Sequence, residues 1–216
     1  MMAPNARIRD EKLYYQKRPS FAHYLSHASS KSGRSPLAMA MEYIRLSRGR
    51  GRMTLPEYVQ YGIYDTSLSG EEKSRFITTA LHWPITHQCC DMAWQAATED
   101  KWLCSRILER SNAPVPPSLA VIDKTHRHYP ETQKIARLQD FKAFVMAQKT
   151  LPVFAKENRG IASFGAFVIV EAEQDYIHLE GEDAMDYETF WEEFVGDTVY
   201  VLQPVIANHS FFDQYT

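Results

Sequence analysis

The residues best suited to chemistry are one lysine and the glycine- and serine-containing loop that follows it. Lys156 ends the apolar run 151–155, and the segment 160–165 then leads into a second apolar run. Side chains alternate along a strand, so Phe154 and Lys156 share one face of the first run. A lysine beside an apolar face and close to backbone N–H groups can bind a phosphate. The same pieces also make an ordinary hairpin whose lysine extends into water.

This loop matches neither of the two common glycine motifs that bind phosphates. Gly160 and Gly165 have the glycine spacing of a Walker loop, but Phe164 and Ala166 stand around the second glycine, where that motif requires Gly-Lys-Ser/Thr. The dinucleotide pattern G-x-G-x-x-G is not followed either. The sequence therefore excludes these two kinds of nucleotide site for the loop.

Other groups with possible chemistry are weaker candidates. His82, His87, Cys89 and Cys90 are close in sequence, but vicinal cysteines do not comfortably ligate one ion and no C-x-x-C pair accompanies them. The acidic segment 180–188 could bind a cation loosely, although a solvated loop explains it better. No G-x-S-x-G elbow is found. We therefore predict no metal site, and the catalytic residues stay unknown.

Composition and charge limit the class of protein. The 216 residues are 44% hydrophobic, which is enough for a packed core in one large domain or two small ones. A formal net charge of −3 gives no reason to expect nucleic acid as a general partner. The 3 cysteines do not suit a secreted disulfide framework. We see neither a signal-peptide pattern nor a membrane-spanning stretch, and we expect a cytoplasmic soluble protein.

Positive charge is concentrated near the N-terminus. The basic residues run from Arg7 to Arg52 and include Arg45, Arg48 and Arg50. Such an arm could contact anionic lipid, polysaccharide or nucleic acid, but most charge runs of this kind form a solvated face. The sequence leaves the role of this arm open.

The pattern of the first half indicates helices. Apolar residues with helical spacing follow Ser35-Pro36, and two capping boxes, Thr54–Glu57 and Ser69–Glu72, start further helices. We expect Pro84 to end the helix that begins after Ser69. A later helix is expected from about Glu99 to Arg110.

The second half alternates between helix and strand patterns. We expect helices at 138–148 and 187–194, and strands at 118–122, in the two runs around Lys156, at 176–179 and at 198–206. Short connections between the strands favour antiparallel pairing. The sequence therefore predicts an α+β protein with a mostly antiparallel sheet. A helical lead-in with the basic arm, residues 1–97, precedes a sheet-forming region, residues 98–216.

Several segments, taken in order, resemble the nucleotide-binding half of an ATP-grasp domain. Asp100-Lys101, the helix that follows and residues 113–117 are similar to the family's entry pattern, which reads Asp-Lys, helix, Gly-[Ile/Val]-Pro-x-Pro. Residues 151–165 are similar to its lysine strand and phosphate-covering flap. Residues 199–206 with His209 are similar to its hinge strand, where adenine docks. The upstream segments 51–58 and 68–73 resemble the helical lead-in of the sugar-transfer-associated ATP-grasp proteins. The resemblance extends over residues 50–216.

The resemblance implies a ligand and a set of binding residues. The ligand is ATP, with magnesium supplied through the nucleotide. Two lysines and the flap amides would contact the phosphates, while the hinge would face the purine edge. The matching residues are Lys101, Lys156, Gly160, Ser163, Phe164, Gly165, Leu202, Gln203 and Val205. The family's reaction activates a carboxylate as an acylphosphate before an amine or similar nucleophile attacks, here on a cell-surface polysaccharide precursor.

The sequence departs from the family after the hinge strand. The family carries magnesium-binding acidic residues and an asparagine on later strands, whereas this sequence stops at Thr216. We therefore expect a nucleotide-binding portion that is inactive alone, whose partners are a carboxylate or sugar-linked acceptor and a complementing C-terminal half. Self-association through an exposed apolar strand at 199–206 is also expected.

Two other interpretations remain open. One is a non-catalytic binding or interaction protein that keeps half of the fold. The other is an unrelated α+β domain in which Lys156 and the glycine loop form only a hairpin.

Overall fold

The computed structural model describes residues 19–147, 151–207 and 209–211, which belong to two compact units. A helical unit holds residues 19–93, and a sheet unit begins at Trp94. A helical region followed by a mostly antiparallel sheet confirms the α+β prediction. The expectations that concern Arg7, Gln148 and Thr216 lie outside the described residues.

The elements follow one another along the chain in a simple order. The helical unit contains α1 (Phe21–Ser32), α2 (Pro36–Ser47), α3 (Leu55–Gln60), α4 (Gly70–Ser74) and α5 (Thr79–Cys89). A 3₁₀ turn (Met92–Trp94) leads to α6 (Gln95–Glu99), α7 (Lys101–Arg110), β1 (Ala120–Ile122), β2 (Gln133–Ile135), α8 (Leu138–Ala147), β3 (Val153–Glu157), β4 (Phe167–Ala172), β5 (Ile177–Leu179), α9 (Tyr187–Phe190) with a π-helical turn (Trp191–Val195), and β6 (Tyr200–Pro204). None of the helices within these described residues combines the length and apolar character that crossing a bilayer requires.

The strands form one sheet in the order β2-β1-β6-β3-β4-β5. All neighbours pair antiparallel except β1 and β2, which are parallel and are joined through residues 123–132. The sequence pattern did not predict β2, because two of its three residues, Gln133 and Lys134, are polar. The prediction of a mostly antiparallel sheet holds.

Alternation along the central strands gives the sheet two different faces. Ala155 and Leu202 belong to a large core that includes Phe141 of α8 and Phe190 of α9, whose ring centroids lie 4.9 Å apart. On the opposite face, Val201 packs with Trp102 of α7. The sheet is therefore covered by α8 and α9 on one side and by α7 on the other.

The position of β6 corrects one expectation. We expected residues 199–206 to form an exposed apolar strand, but β6 lies between β1 and β3 and pairs with both. Tyr200, Val201 and Leu202 are fully buried. Pro204, which cannot donate a ladder hydrogen bond, is the last residue of the strand, as its chemistry requires.

Pro84 is the second correction, because it lies inside α5 instead of ending a helix. The chain leaves its helical path earlier, between α4 and α5. There the Thr78 hydroxyl donates to the Gly51 carbonyl, and the Thr79 amide donates to Oε1 of Glu57 at 2.7 Å. These contacts fix the start of α5, so the break is set by tertiary hydrogen bonds and not by the proline.

Glu57 joins two helices of the helical unit through one buried carboxylate. Its Oε2 accepts from the Thr54 amide at 2.9 Å and completes the predicted capping box of α3, while its Oε1 binds the first residue of α5. Burial on its own would raise the pKa of Glu57, but the hydrogen bonds from Thr79 and Thr54 outweigh it and bring the pKa from 4.5 to about 2.

Acid should therefore weaken the helical unit through Glu57. The folded-state pKa lies below the unfolded one, so the stabilisation is fully present above pH 4.5 and is lost as the pH falls toward 2. The shift corresponds to about 3 kcal/mol of unfolding free energy. Urea unfolding at a series of pH values should show the advantage of the parent chain over Glu57→Gln shrinking across this window.

Glu72→Gln provides the matched control. Glu72 completes the equivalent capping box at Ser69 but is exposed. Its effect on the pH dependence should be smaller than that of Glu57→Gln. A difference between the parent chain and Glu57→Gln that stays constant with pH would contradict this account of Glu57.

Candidate functional site

The first turn of α7 is fixed by residues at both of its sides. Asp100 caps the helix by accepting from the Leu103 amide at 3.0 Å. Asn158, directly after β3, accepts from the Trp102 amide through its side chain and from the Lys101 amide through its carbonyl, both at 3.0 Å. Three of the amides that a helix start leaves unpaired are thereby satisfied. This arrangement holds the start of α7 against the end of β3.

Lys101 is directed toward the glycine loop by this anchor. Its ammonium donates to the Gly160 carbonyl at 2.6 Å, and the side chain is partly buried. Burial lowers the pKa of Lys101, while the carboxylates of Glu157 and Asp100 partly offset that effect. Lys101, which the sequence predicted to contact phosphate, therefore lies at the junction of α7 and the loop.

Lys156 lies on the face of the sheet that α7 covers. It is paired in register with Val201, which packs on that face. Burial lowers the pKa of Lys156 and the positive charge of Lys101 lowers it further. Within the part of the chain that the structure describes, no group forms a hydrogen bond or ion pair with this ammonium. The two predicted lysines are therefore brought near each other as a pair of like charges.

Gly160 is required where the loop leaves β3. A Cβ atom at this position would lie 2.6 Å from the Cβ of Glu157, closer than two carbon atoms can approach. Glu157 is itself buried. The position therefore excludes every side chain, which explains one glycine of the predicted motif.

The rest of the loop folds as consecutive tight turns. Ala162 and Ser163 have φ values of 54° and 59°, and the Phe164 amide closes their turn by donating to the Ile161 carbonyl at 3.2 Å. Gly165, with φ of 71°, shapes the return to β4. Of the three amides expected over a phosphate, that of Phe164 thus donates within the loop. Ser163 is exposed, and Gly165 is buried.

The hinge residues are largely occupied by contacts within the sheet unit. The Leu202 carbonyl accepts from the Leu119 amide at 2.8 Å, and the buried Gln203 side chain donates to the Pro116 carbonyl at 3.1 Å. Val205 is 42% exposed and is the accessible member of the three. The predicted contacts with a purine would require the first two residues to exchange their present partners.

Sequence reasoning missed Arg127, which binds the cap of α7. Its guanidinium donates to Asp100 and lies 5.4 Å and 4.8 Å from the ring centroids of Trp102 and Tyr129. Burial on its own would raise the pKa of Asp100, but the hydrogen bond from Arg127 is the largest of the effects that bring it below its usual value. Arg159 approaches the same carboxylate at 3.7 Å. The local sequence around Arg127 contains no signal for this pairing.

Two hollows flank this cluster. One of about 340 Å³ is bounded by residues that include Asp123, Arg127 and Arg159. The buried Asp123 carboxylate accepts from the Tyr129 hydroxyl at 2.6 Å, an interaction that helps lower the pKa of Asp123 against the effect of burial. The other hollow, of about 320 Å³, is bounded by Lys101, Arg159 and the loop at Gly160. Each hollow is bounded by two cations, but the first also contains the carboxylates of Asp123 and Glu157, whereas the second contains that of Glu99, so the second is the better place for an anionic group.

The remaining chemical candidates are not assembled into a site. His178 contacts the Glu182 carbonyl through Nε2 at 3.1 Å, and Cys89 and Cys90 are exposed. Across residues 19–147, 151–207 and 209–211, no group of three His, Cys, Asp or Glu side chains is arranged to hold a metal ion.

Comparisons with known proteins leave the family open. No family model, no curated protein and no solved structure matches this chain. The resemblance to ATP-grasp proteins therefore stays a prediction that comes from the sequence motifs.

The shared carboxylate of Asp100 gives a test of how the site is held. Arg127→Ala should lower the unfolding free energy by about 2–3 kcal/mol, because it leaves a buried carboxylate without its closest cation. Arg159→Ala is the matched control; its side chain is 71% exposed, and the expected loss is below about 1 kcal/mol. Denaturant unfolding measures both, and equal losses would contradict the unequal roles of the two arginines.

Proposed function

We propose that the sheet unit binds the phosphates of ATP, as the nucleotide-binding portion of an ATP-grasp ligase-like protein. The observation that carries the proposal is the approach of Lys156 to Lys101: Lys156 lies on the sheet face that α7 covers, Lys101 begins α7, and burial together with the positive charge of Lys101 lowers the pKa of Lys156. Two like charges in a partly buried place repel, and a bound polyphosphate would turn that repulsion into attraction.

The surroundings of the two lysines support an anionic ligand. The Lys156 ammonium has no ion-pair partner within the described residues, so a ligand would not have to displace one. Beside Lys101 lies a hollow of about 320 Å³, which is of the size that small-molecule sites have; Arg159 and Glu99 also bound it, and Lys156 is not among its lining residues.

In this role the lysines would neutralise phosphate charge and hold the nucleotide in place. Magnesium would arrive on the nucleotide and supply further neutralisation of the phosphates. We extend the proposal to the reaction that the resemblance implies, in which ATP activates a carboxylate as an acylphosphate in cell-surface polysaccharide biosynthesis. A carboxylate or sugar-linked acceptor would then be the second partner.

One observation favours a second candidate, a non-catalytic binding protein that keeps this half of the fold. The Leu202 carbonyl and the Gln203 side chain, expected at the purine edge, already have partners within the sheet unit. In a protein that does not bind adenine, these two groups would keep their hydrogen bonds within the sheet unit. The two candidates differ in whether nucleotide binds at the lysine pair.

Calorimetric titration with magnesium-ATP tests the proposal. The parent chain should bind saturably, and Lys101→Ala and Lys156→Ala should each weaken binding at least tenfold, about 1.4 kcal/mol. Lys142→Ala is the control, because Lys142 lies on α8 and contacts Tyr187 on the opposite side of the sheet. It should leave the affinity within about twofold of the parent value. Absence of saturable binding by the folded parent chain would reject nucleotide binding and leave the second candidate.

A further inference from the structure

The helical unit contains a hollow of about 230 Å³ that is lined by positive charge. Arg45 near the end of α2, Arg50 in the loop that follows and Lys73 of α4 all bound it. No acidic side chain is among the residues that line it. The hollow is separate from the lysine pair of the sheet unit, and nothing in the proposed function requires it.

Among the described residues, the two arginines of the hollow have no counter-ion. Other arginines of the same unit are paired: Arg34 with Glu42 at 2.5 Å, and Arg75 with Glu71 at 2.5 Å. Within the described part of the chain, no carboxylate or carbonyl accepts from Arg45 or Arg50. Neither guanidinium group therefore has to break a bond to these residues in order to donate to a ligand.

Lys73 also lines the hollow, with its charge paired to a carboxylate. It is 4% exposed, and its ammonium contacts Oε1 of Glu42 at 2.7 Å. Glu42 also pairs with Arg34, so one carboxylate is shared between two cations. Burial alone would raise the pKa of Glu42, but the hydrogen bonds from Lys73 and Arg34 outweigh it and bring the pKa below its usual value. Together, Arg34, Lys73 and Glu42 carry a net charge of one positive unit.

Glycines keep the walls of the hollow open. Gly49, Gly51 and Gly70 line it, and a Cβ atom on Gly70 would lie 3.5 Å from Nη2 of Arg45. The guanidinium of Arg45 thus lies against bare backbone. The Gly51 carbonyl accepts from the Thr78 hydroxyl, which ties the loop that carries Arg50 to the start of α5. This hydrogen bond fixes the backbone of the loop that places Arg50 at the hollow.

We propose that this hollow binds a phosphoryl group, either as free phosphate or as the monoester of a small molecule. Guanidinium groups recognise phosphate oxygens through paired N–H donors, and the two in this hollow match the charge of a dianion. The volume lies below the usual range of about 300–1,000 Å³ for larger organic ligands, which favours a compact one.

Phosphorus NMR titration with inorganic phosphate, at constant ionic strength set by chloride, tests the site. The parent chain should bind phosphate saturably, and Arg45→Gln and Arg50→Gln should each raise the dissociation constant at least tenfold. Arg48→Gln is the matched control, because Arg48 is in the same basic segment but does not line the hollow. It should change the constant less than twofold. Circular dichroism checks that each variant is folded.

The competing explanations give different results. Equal weakening by all three arginine variants would mean general attraction by a basic segment and would overturn the proposal, as would the absence of saturable binding by the parent chain. Loss of phosphate binding in Lys156→Ala, with the arginine variants unaffected, would place the anion at the lysine pair and would also overturn the proposal.

A parallel titration with glycerol 3-phosphate distinguishes free phosphate from a phosphate monoester as the ligand. Tighter binding of the ester identifies a monoester ligand, and equal binding identifies the free anion, both with the same dependence on Arg45 and Arg50.

Discussion

The sheet unit depends on the hydrogen bonds that Asn158 makes to the first turn of α7. One residue supplies a side-chain oxygen and a carbonyl to two successive helix amides, and its own amide donates to the Val199 carbonyl at 2.8 Å. The start of α7, the end of β3 and the approach to β6 therefore meet at a single residue. Because Lys101 opens α7 and Lys156 lies near the end of β3, this anchor also sets the spacing of the two cations.

Two carboxylates of the structure each lie close to two cationic side chains. Asp100 accepts from Arg127 and lies near Arg159, and Glu42 accepts from both Arg34 and Lys73. In each case a carboxylate with little solvent contact is offset by more than one cation. Buried carboxylates that are paired and hydrogen-bonded avoid the large cost of an isolated buried charge.

Patterns local in sequence predicted much of the fold, and tertiary contacts decided the rest. The capping boxes at Thr54 and Ser69 formed as expected, because an N-cap and its partner are three residues apart. The strand β2 was missed because pairing with β1, and not its own composition, makes it a strand. Arg127 was missed for a similar reason, since its partner Asp100 belongs to another element. The lysine pair was expected from motif order, but its electrostatic coupling required the folded arrangement.

The contact between Lys101 and the Gly160 carbonyl connects a charge to the shape of a loop. One ammonium both contributes to the positive potential and holds the backbone of the segment that follows β3. Acetylation of that amine, or its replacement by a neutral residue, would remove the charge and release the loop in the same event. If the proposed anion site is correct, a neutral residue at position 101 would therefore weaken anion binding and loosen the loop together.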